Sequence, residues 1–151
     1  TTTGALLHAH RLGRKRHQPE MLFDGVALAA TRDGAGAWIR KTFDVPRADN
    51  DLNVAYAVYL EALQDEGRQD APYRDTHCWF FTPAVFDLVA FDLNVLGLMP
   101  FKVTAIEENL GSEFIVHMNR GDESRAPDDV RERRNQLLRR ATRELMDRYP
   151  W

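Results

Sequence analysis

One cysteine in 151 residues excludes a disulfide framework within the chain. That residue, Cys78, sits in the apolar run Cys78-Trp79-Phe80-Phe81, where burial is the expectation and a reducing, cytoplasmic setting follows. Long apolar runs are missing too: none approaches the roughly 20 residues that span a bilayer, so no membrane partner is expected. The opening TTTGALLHAH lacks the basic-then-apolar layout of a signal peptide, and without an initiator Met the chain is expected to begin within a longer protein or after processing. Charge of one sign is scarce. A formal charge of −3 gives no global attraction to nucleic acid or anionic membrane, and no nucleic-acid partner is expected. No P-loop, nucleophile elbow or Cys/His-rich metal pattern is present, and no metal site is expected. His8 and His10 are two apart on a helical stretch, so they point to different faces. Gly34-Ala35-Gly36 follows a helical pattern rather than a strand, which makes it a flexible turn and not a cofactor loop.

What is present has the size and apolar content, 44%, of one soluble domain over residues 1–151. Thr2 or Thr3 caps a first helix that runs to about Leu12 and ends at Gly13. A basic cluster, Arg11, Arg14, Lys15, Arg16 and His17, follows and reads as a solvated helix end or a contact for phosphate. Pro19 with Glu20 opens a second helix whose apolar stripe extends to Ala30, broken by RDGAGA. The segment from Trp38 to Val45 is too short and mixed to assign. Asn50 or Asp51 caps a third helix that runs to Gly67. Residues 76–81 are aromatic and β-favouring and predict a strand or extended lead-in. Thr82-Pro83 starts a helix with Val85, Phe86, Val89, Leu93 and Leu96 inward and Gly97 at its exit. Residues 101–106 and 114–118 predict a β-hairpin. Pro127 opens a last helix whose Val130, Leu137, Leu138, Ala141, Leu145 and Met146 turn inward, while seven arginines against five carboxylates make an ion-paired surface. The predicted class is α+β: a helical N-terminal part, 1–70, then strand, helix and antiparallel hairpin over 73–120, then a C-terminal helix over 127–148.

The order of residues 75–83 (DTHCWFFTP), Leu96-Gly97-Leu98 and residues 111–116 (GSEFIV) resembles the C-terminal region of bacterial class I S-adenosylmethionine-dependent methyltransferases. The resemblance implies the last helix and last two strands of a Rossmann-like sheet, preceded by a helical insertion or cap corresponding to 1–70. It also implies a transferase that uses S-adenosylmethionine. In the family the donor is held by a glycine-rich turn after the first strand and an acidic residue after the second, and neither pattern has a match here. No cofactor-binding residue is assigned, and the chain alone is not expected to bind the donor.

By the same resemblance, substrate loops converge just before the capped helix. His77 is then the candidate catalytic base, since an imidazole takes a proton near neutral pH. The alternative is that it packs or hydrogen-bonds beside the aromatic run. Asp75 is placed to orient His77, and Tyr73, Arg74, Asp75 and Trp79 are candidate substrate-binding residues. Arg74 would hold an anionic group and the aromatics would stack on a sugar or ring, although Trp79 also suits a core position. The implied partner is a small-molecule or glycan acceptor. The competing expectation is a non-catalytic module that forms a homodimer or docks a partner through the hairpin edge and its amphipathic helices.

Overall fold

A computed structural model describes residues 1–32, 35–36, 47–48, 51–77, 79–108 and 113–148. The segment from Trp38 to Val45, Cys78 and the hairpin tip 109–112 lie outside them. The chain is α+β, with five helices, an antiparallel hairpin and a small three-stranded sheet among the described residues. It divides into two compact units, one made of Thr1–His10 with Phe80–Trp151 and the other of Arg11–Trp79. No described helix is long and apolar enough to cross a membrane.

The first unit contains α1 (Thr3–Arg11), α4 (Pro83–Val95), β4 (Phe101–Glu108), β5 (Phe114–Arg120) and α5 (Pro127–Arg148). Thr2 begins α1, its hydroxyl accepting from the Ala5 N–H at 3.2 Å. Thr82 caps α4 by accepting from the Val85 N–H at 3.3 Å, and Pro83 fills the first turn without an amide to orphan. Gly97 leaves the helix at φ 72°, a conformation costly for any residue with a side chain.

Strands β4 and β5 pair antiparallel from Phe101↔Arg120 to Glu108↔Phe114. The register slips between Val103 and Ala105, leaving Thr104 as a bulge whose hydroxyl donates to the His117 carbonyl at 3.1 Å. That extra residue puts Val103 and Ile106 on one half-buried face with Val116 and Met118, although strict alternation would separate them. Phe114, next on this face, meets Phe86 of α4 edge-on at 5.9 Å between ring centres, and Phe86 meets Phe81 in the same way at 5.4 Å. On the outer face, His117 contacts Glu107 across the strands at 3.0 Å.

The apolar stripe of α4 departs from its helical-spacing expectation. Val89 is buried, but Val85, Phe86 and Leu93 are half-buried and Leu96 is exposed. The hairpin and α5 both pack on α4, so burial also reaches Ala84, Asp87, Ala90, Phe91, Asp92 and Asn94. On α5 the positions that match this surface are Val130, Arg134, Leu137, Ala141 and Glu144, at helical intervals of three and four. Leu138, Leu145 and Met146, expected inside, are exposed because they flank that stripe. Arg134 grips Asp92 through Nε at 2.8 Å and a terminal nitrogen at 3.2 Å, and the Thr3 hydroxyl donates to the same carboxylate at 2.9 Å. This charge-assisted fork raises the Arg134 guanidinium above its ordinary pKa. Glu144 accepts from the Ala84 N–H at 2.8 Å, placing a carboxylate at the N-terminus of α4.

Asp87 has Arg140 at 3.2 Å and Arg133 at 3.9 Å, yet its carboxyl is pushed above the ordinary value of 3.8. Burial is the larger influence, and the two half-exposed arginines offset only part of it. The folded protein therefore keeps this proton at a pH where the unfolded chain has released it. Stability should fall as pH rises from about 3.8 through the raised folded value, then level off. Urea midpoints of wild type and Asp87→Asn across that range should show this decline in the difference between them. A constant difference would contradict the assignment.

The second unit holds α2 (Pro19–Ala27), α3 (Leu52–Gln64) and three short strands, β1 (Ala30–Arg32), β2 (Ala35–Gly36) and β3 (Arg47–Ala48), in antiparallel order β2-β1-β3. Residues 1–70 are thus not purely helical. Ala30, expected on the α2 stripe, pairs with Ala48 instead, because α2 stops at Ala27. Asp51 is the cap of α3, its carboxylate accepting from the Asn53 N–H at 2.9 Å. Helix α3 ends at Gln64, three residues before Gly67, which lies at φ 78°. The strand expected over 76–81 does not form among the described residues. No ladder partner meets it, and Phe81 packs instead on Phe86 of the helix that it leads into.

Candidate functional site

The candidate residues sit on the irregular chain that follows α3, and a set of charged contacts fixes that chain. Arg16 reaches from the α1–α2 connection to the carbonyls of Arg68 and Gln69, both at 3.0 Å. Arg68 contacts Asp65 at 3.1 Å and forks onto Asp70, whose carboxyl is held below its ordinary range chiefly by that hydrogen bond. Arg74 bonds Glu61 at 3.0 Å and Asp65 at 3.2 Å, both on the last turns of α3 or just beyond it. Its Nε is buried with no hydrogen-bond partner among the described residues.

Next to this brace lies a hydrogen-bonded chain of three titratable side chains. The Tyr73 hydroxyl donates to Asp75 Oδ1 at 3.4 Å, and His17 Nε2 lies 2.9 Å from the Tyr73 oxygen and 3.9 Å from Asp75 Oδ1. The tautomer of His17 sets whether its Nε2 donates to the Tyr73 oxygen or accepts from the Tyr73 hydroxyl. The imidazole and phenol rings stand 5.6 Å apart at a tilt of 48°. The His17 side chain is 20% exposed and that of Asp75 is 85% exposed. Such an imidazole–phenol–carboxylate chain can orient a carboxylate, and it can pass a proton between solvent and a half-enclosed ring.

No family model, curated protein or solved structure matches this chain.

Among the candidates, Tyr73 and Asp75 come together. Asp75 contacts Tyr73 and His17 rather than His77, which is exposed two residues on. Arg74 has both terminal nitrogens committed to carboxylates of its own chain, so it braces the segment instead of presenting a free cation. Trp79 is half-buried. His17 is the member of this cluster that local sequence does not signal: its partner Tyr73 is 56 positions away, and beside Arg14, Lys15 and Arg16 it reads as one more basic residue. Among the described residues, no group of three or more His, Cys, Asp or Glu side chains could hold a metal ion.

Helix α2 bears on the same segment through Gly25. A Cβ at this position would overlap the Thr76 hydroxyl. Gly→Ala inside a helix ordinarily gains up to about 1 kcal/mol. Here Gly25→Ala should instead cost about 1–3 kcal/mol through overpacking. Adding Thr76→Ala should recover most of that loss in a double-mutant cycle read by chemical denaturation. A stabilised Gly25→Ala protein would contradict this packing.

Proposed function

We propose that this chain is the acceptor-side C-terminal region of an S-adenosylmethionine-dependent methyltransferase, in which the methyl donor is held by another part of the enzyme. The observation that carries the reading is the β4–β5 pair. It has eight and seven residues, lies against a helix that starts Thr-Pro and exits through Gly97, and joins no further strand among the described residues. Two strands alone are marginal in water, and long unpaired edges call for cover. An antiparallel pair that closes a larger, mostly parallel sheet meets that need.

The described residues do not fit the donor. Gly36 lies in β2 and pairs with Thr31, and the space beside Gly25 is filled by Thr76, so neither glycine offers backbone to a cofactor. In this reading Tyr73 and Asp75 face the acceptor, Arg74 and Trp79 hold their segment in place, and His77 is the exposed base beside them. Calorimetric titration of this chain with S-adenosylmethionine should give no binding heat. The protein extended by the coding sequence upstream of Thr1 should bind it. Tight binding by this chain, or none by the extended protein, would overturn the proposal.

A second reading, a homodimerisation or partner-binding module, draws on the exposed row Leu52, Tyr56, Leu60 and Leu63 along α3. Light scattering separates the two, because a folded monomer at high concentration counts against a homodimer.

A further inference from the structure

The turn that joins α4 to β4 inverts the composition expected of a turn. Leu96, Gly97, Leu98, Pro100 and Phe101 are exposed, Met99 is half-buried, and residues 96–101 include no polar side chain. Leu96 is 57% exposed, Leu98 51% and Phe101 44%. Connections between elements are ordinarily polar, and a run of exposed apolar residues favours association unless it has a partner to meet.

The same run is held still. The Leu98 N–H donates to the Leu93 carbonyl at 2.9 Å and the Gly97 N–H to the Asn94 carbonyl at 2.8 Å, closing a Schellman turn around Gly97. Asn94 Nδ2 then gathers the carbonyls of Met99, Phe101 and Gly121. A backbone fixed in this way presents Leu96, Leu98 and Phe101 with little left for a partner to order.

Two cations share this end of the hairpin. Arg120 stands opposite Phe101 in the register, so their side chains lie on one face. A terminal nitrogen of Arg125 lies 3.7 Å from where a Cβ on Gly97 would be. The negative end of α4 accounts for a cation at that place, yet Arg125 is exposed and meets no carboxylate among the described residues. Neither does Arg120, whereas Arg131, Arg133, Arg134 and Arg140 of α5 each lie within 4.0 Å of one.

Apolar side chains interleaved with open guanidinium groups match a partner that sets carboxylates beside its own apolar residues. An anionic bilayer is the poorer match. The chain carries a formal charge of −3, and Asp122 and Glu123 lie in the loop between the two arginines, where a continuous negative surface would repel them. A peptide instead places single carboxylates opposite single arginines.

We propose that Leu96, Leu98 and Phe101, with Arg120 and Arg125, form a docking surface for an acidic amphipathic helix of a protein partner. The surface is independent of the acceptor-side reading and lies outside residues 73–79.

The test is an amide-resonance titration of the 151-residue chain with a capped helical peptide of about 16 residues, bearing leucines at i, i+3, i+4 and i+7 with glutamates beside them. The amides of Leu96, Gly97, Leu98, Phe101, Arg120 and Arg125 should shift together, with a Kd of about 10–500 μM. Lysines in place of the glutamates should weaken binding at least about tenfold. Leu98→Ser and Arg125→Gln should each weaken it about three- to tenfold. Leu96→Ser, outside the Schellman hydrogen bonds, should do the same, so a folding defect in Leu98→Ser leaves the proposal open to refutation. Arg139→Gln removes the same charge from an exposed position on α5 and should change nothing. The proposal is overturned if the acidic peptide shifts none of these amides, if the lysine peptide binds as well, or if Arg139→Gln weakens binding as much as Arg125→Gln. It is overturned in favour of a membrane if vesicles of phosphatidylcholine and phosphatidylglycerol in equal amounts take the chain and the peptide does not. It is overturned in favour of a second copy if the chain alone dimerises and Leu96→Ser abolishes the dimer. No methyl donor enters the experiment, so its outcome and that of donor binding by the extended protein are read separately.

Discussion

Replacing Asn94 with Asp is expected to cost the helix–hairpin unit about 4–6 kcal/mol at neutral pH, a large share of the 5–15 kcal/mol that typically holds a domain together. Asn94 is 1% exposed at the end of α4. Its Nδ2 reaches the carbonyls of Met99, Phe101 and Gly121 at 3.1, 3.0 and 2.8 Å, and its Oδ1 accepts from the Glu123 N–H at 2.8 Å. One side chain therefore joins the exit of the helix, the start of β4 and the chain beyond β5. An aspartate in the same volume turns an acceptor oxygen toward three carbonyl oxygens and buries a charge among them. Asn94→Ala loses the same bonds without adding repulsion, so it should cost less, about 3–5 kcal/mol. Protonation lets aspartic acid donate one hydrogen bond, and the two variants should converge as the pH is lowered. Urea unfolding followed by far-ultraviolet circular dichroism at pH 7 and pH 4 checks both the order and the convergence. An Asn94→Asp protein within about 1 kcal/mol of wild type would contradict the account.

The contrast between Asn94 and Thr82 shows where sequence reading succeeds. Thr82-Pro83, Asp51, Pro19, Gly13, Gly67 and Gly97 act within their own few residues, and each marks a helix end at or within three positions of where the structure has it. Asn94 and Asp92 act on chain that returns from elsewhere. An acid in a helix reads as solvated surface until Arg134, 42 positions on, lies opposite Asp92. The bulge at Thr104 was hidden for a related reason. FKVTAIEE alternates only in its first half, and without the partner register nothing local shows that one extra residue restores a single inward face.

The candidate site divides in the same way. Residues 73–79 attract notice through aromatics and charge packed into a short run, and the fold brings Tyr73 and Asp75 of that run into contact. What His17 contributes is not legible in the sequence, because the α1–α2 connection crosses that run only in the folded unit. Arg74 illustrates the opposite error. An arginine beside a tyrosine suggests an anion site, yet Glu61 in the last turn of α3 and Asp65 just beyond it occupy both its terminal nitrogens. Sequence identifies which groups can do chemistry. Their commitments to one another are a property of the fold.

Leu137→Ala is expected to cost about 3–4 kcal/mol, within the range for deleting a fully enclosed leucine side chain. Leu137 is 2% exposed, and Ala141, at 6%, is the other buried apolar residue of α5. For a 22-residue helix this is a narrow apolar anchor. Polar attachments to α4 add to it: Arg134 to Asp92, Arg140 to Asp87, and Glu144 to the Ala84 amide. The arginine side chains are about half exposed, so water and salt screen the pairs, and they cannot replace the lost packing. Leu138, one residue on and 37% exposed, offers the control, and Leu138→Ala should cost under about 1 kcal/mol. If α5 is held as described, Leu137→Ala should also become more salt-sensitive than wild type, because a larger share of its attachment is then ionic. Denaturation of both variants at low and high ionic strength measures this directly, and equal losses for Leu137→Ala and Leu138→Ala would show that the helix is seated by its charges instead.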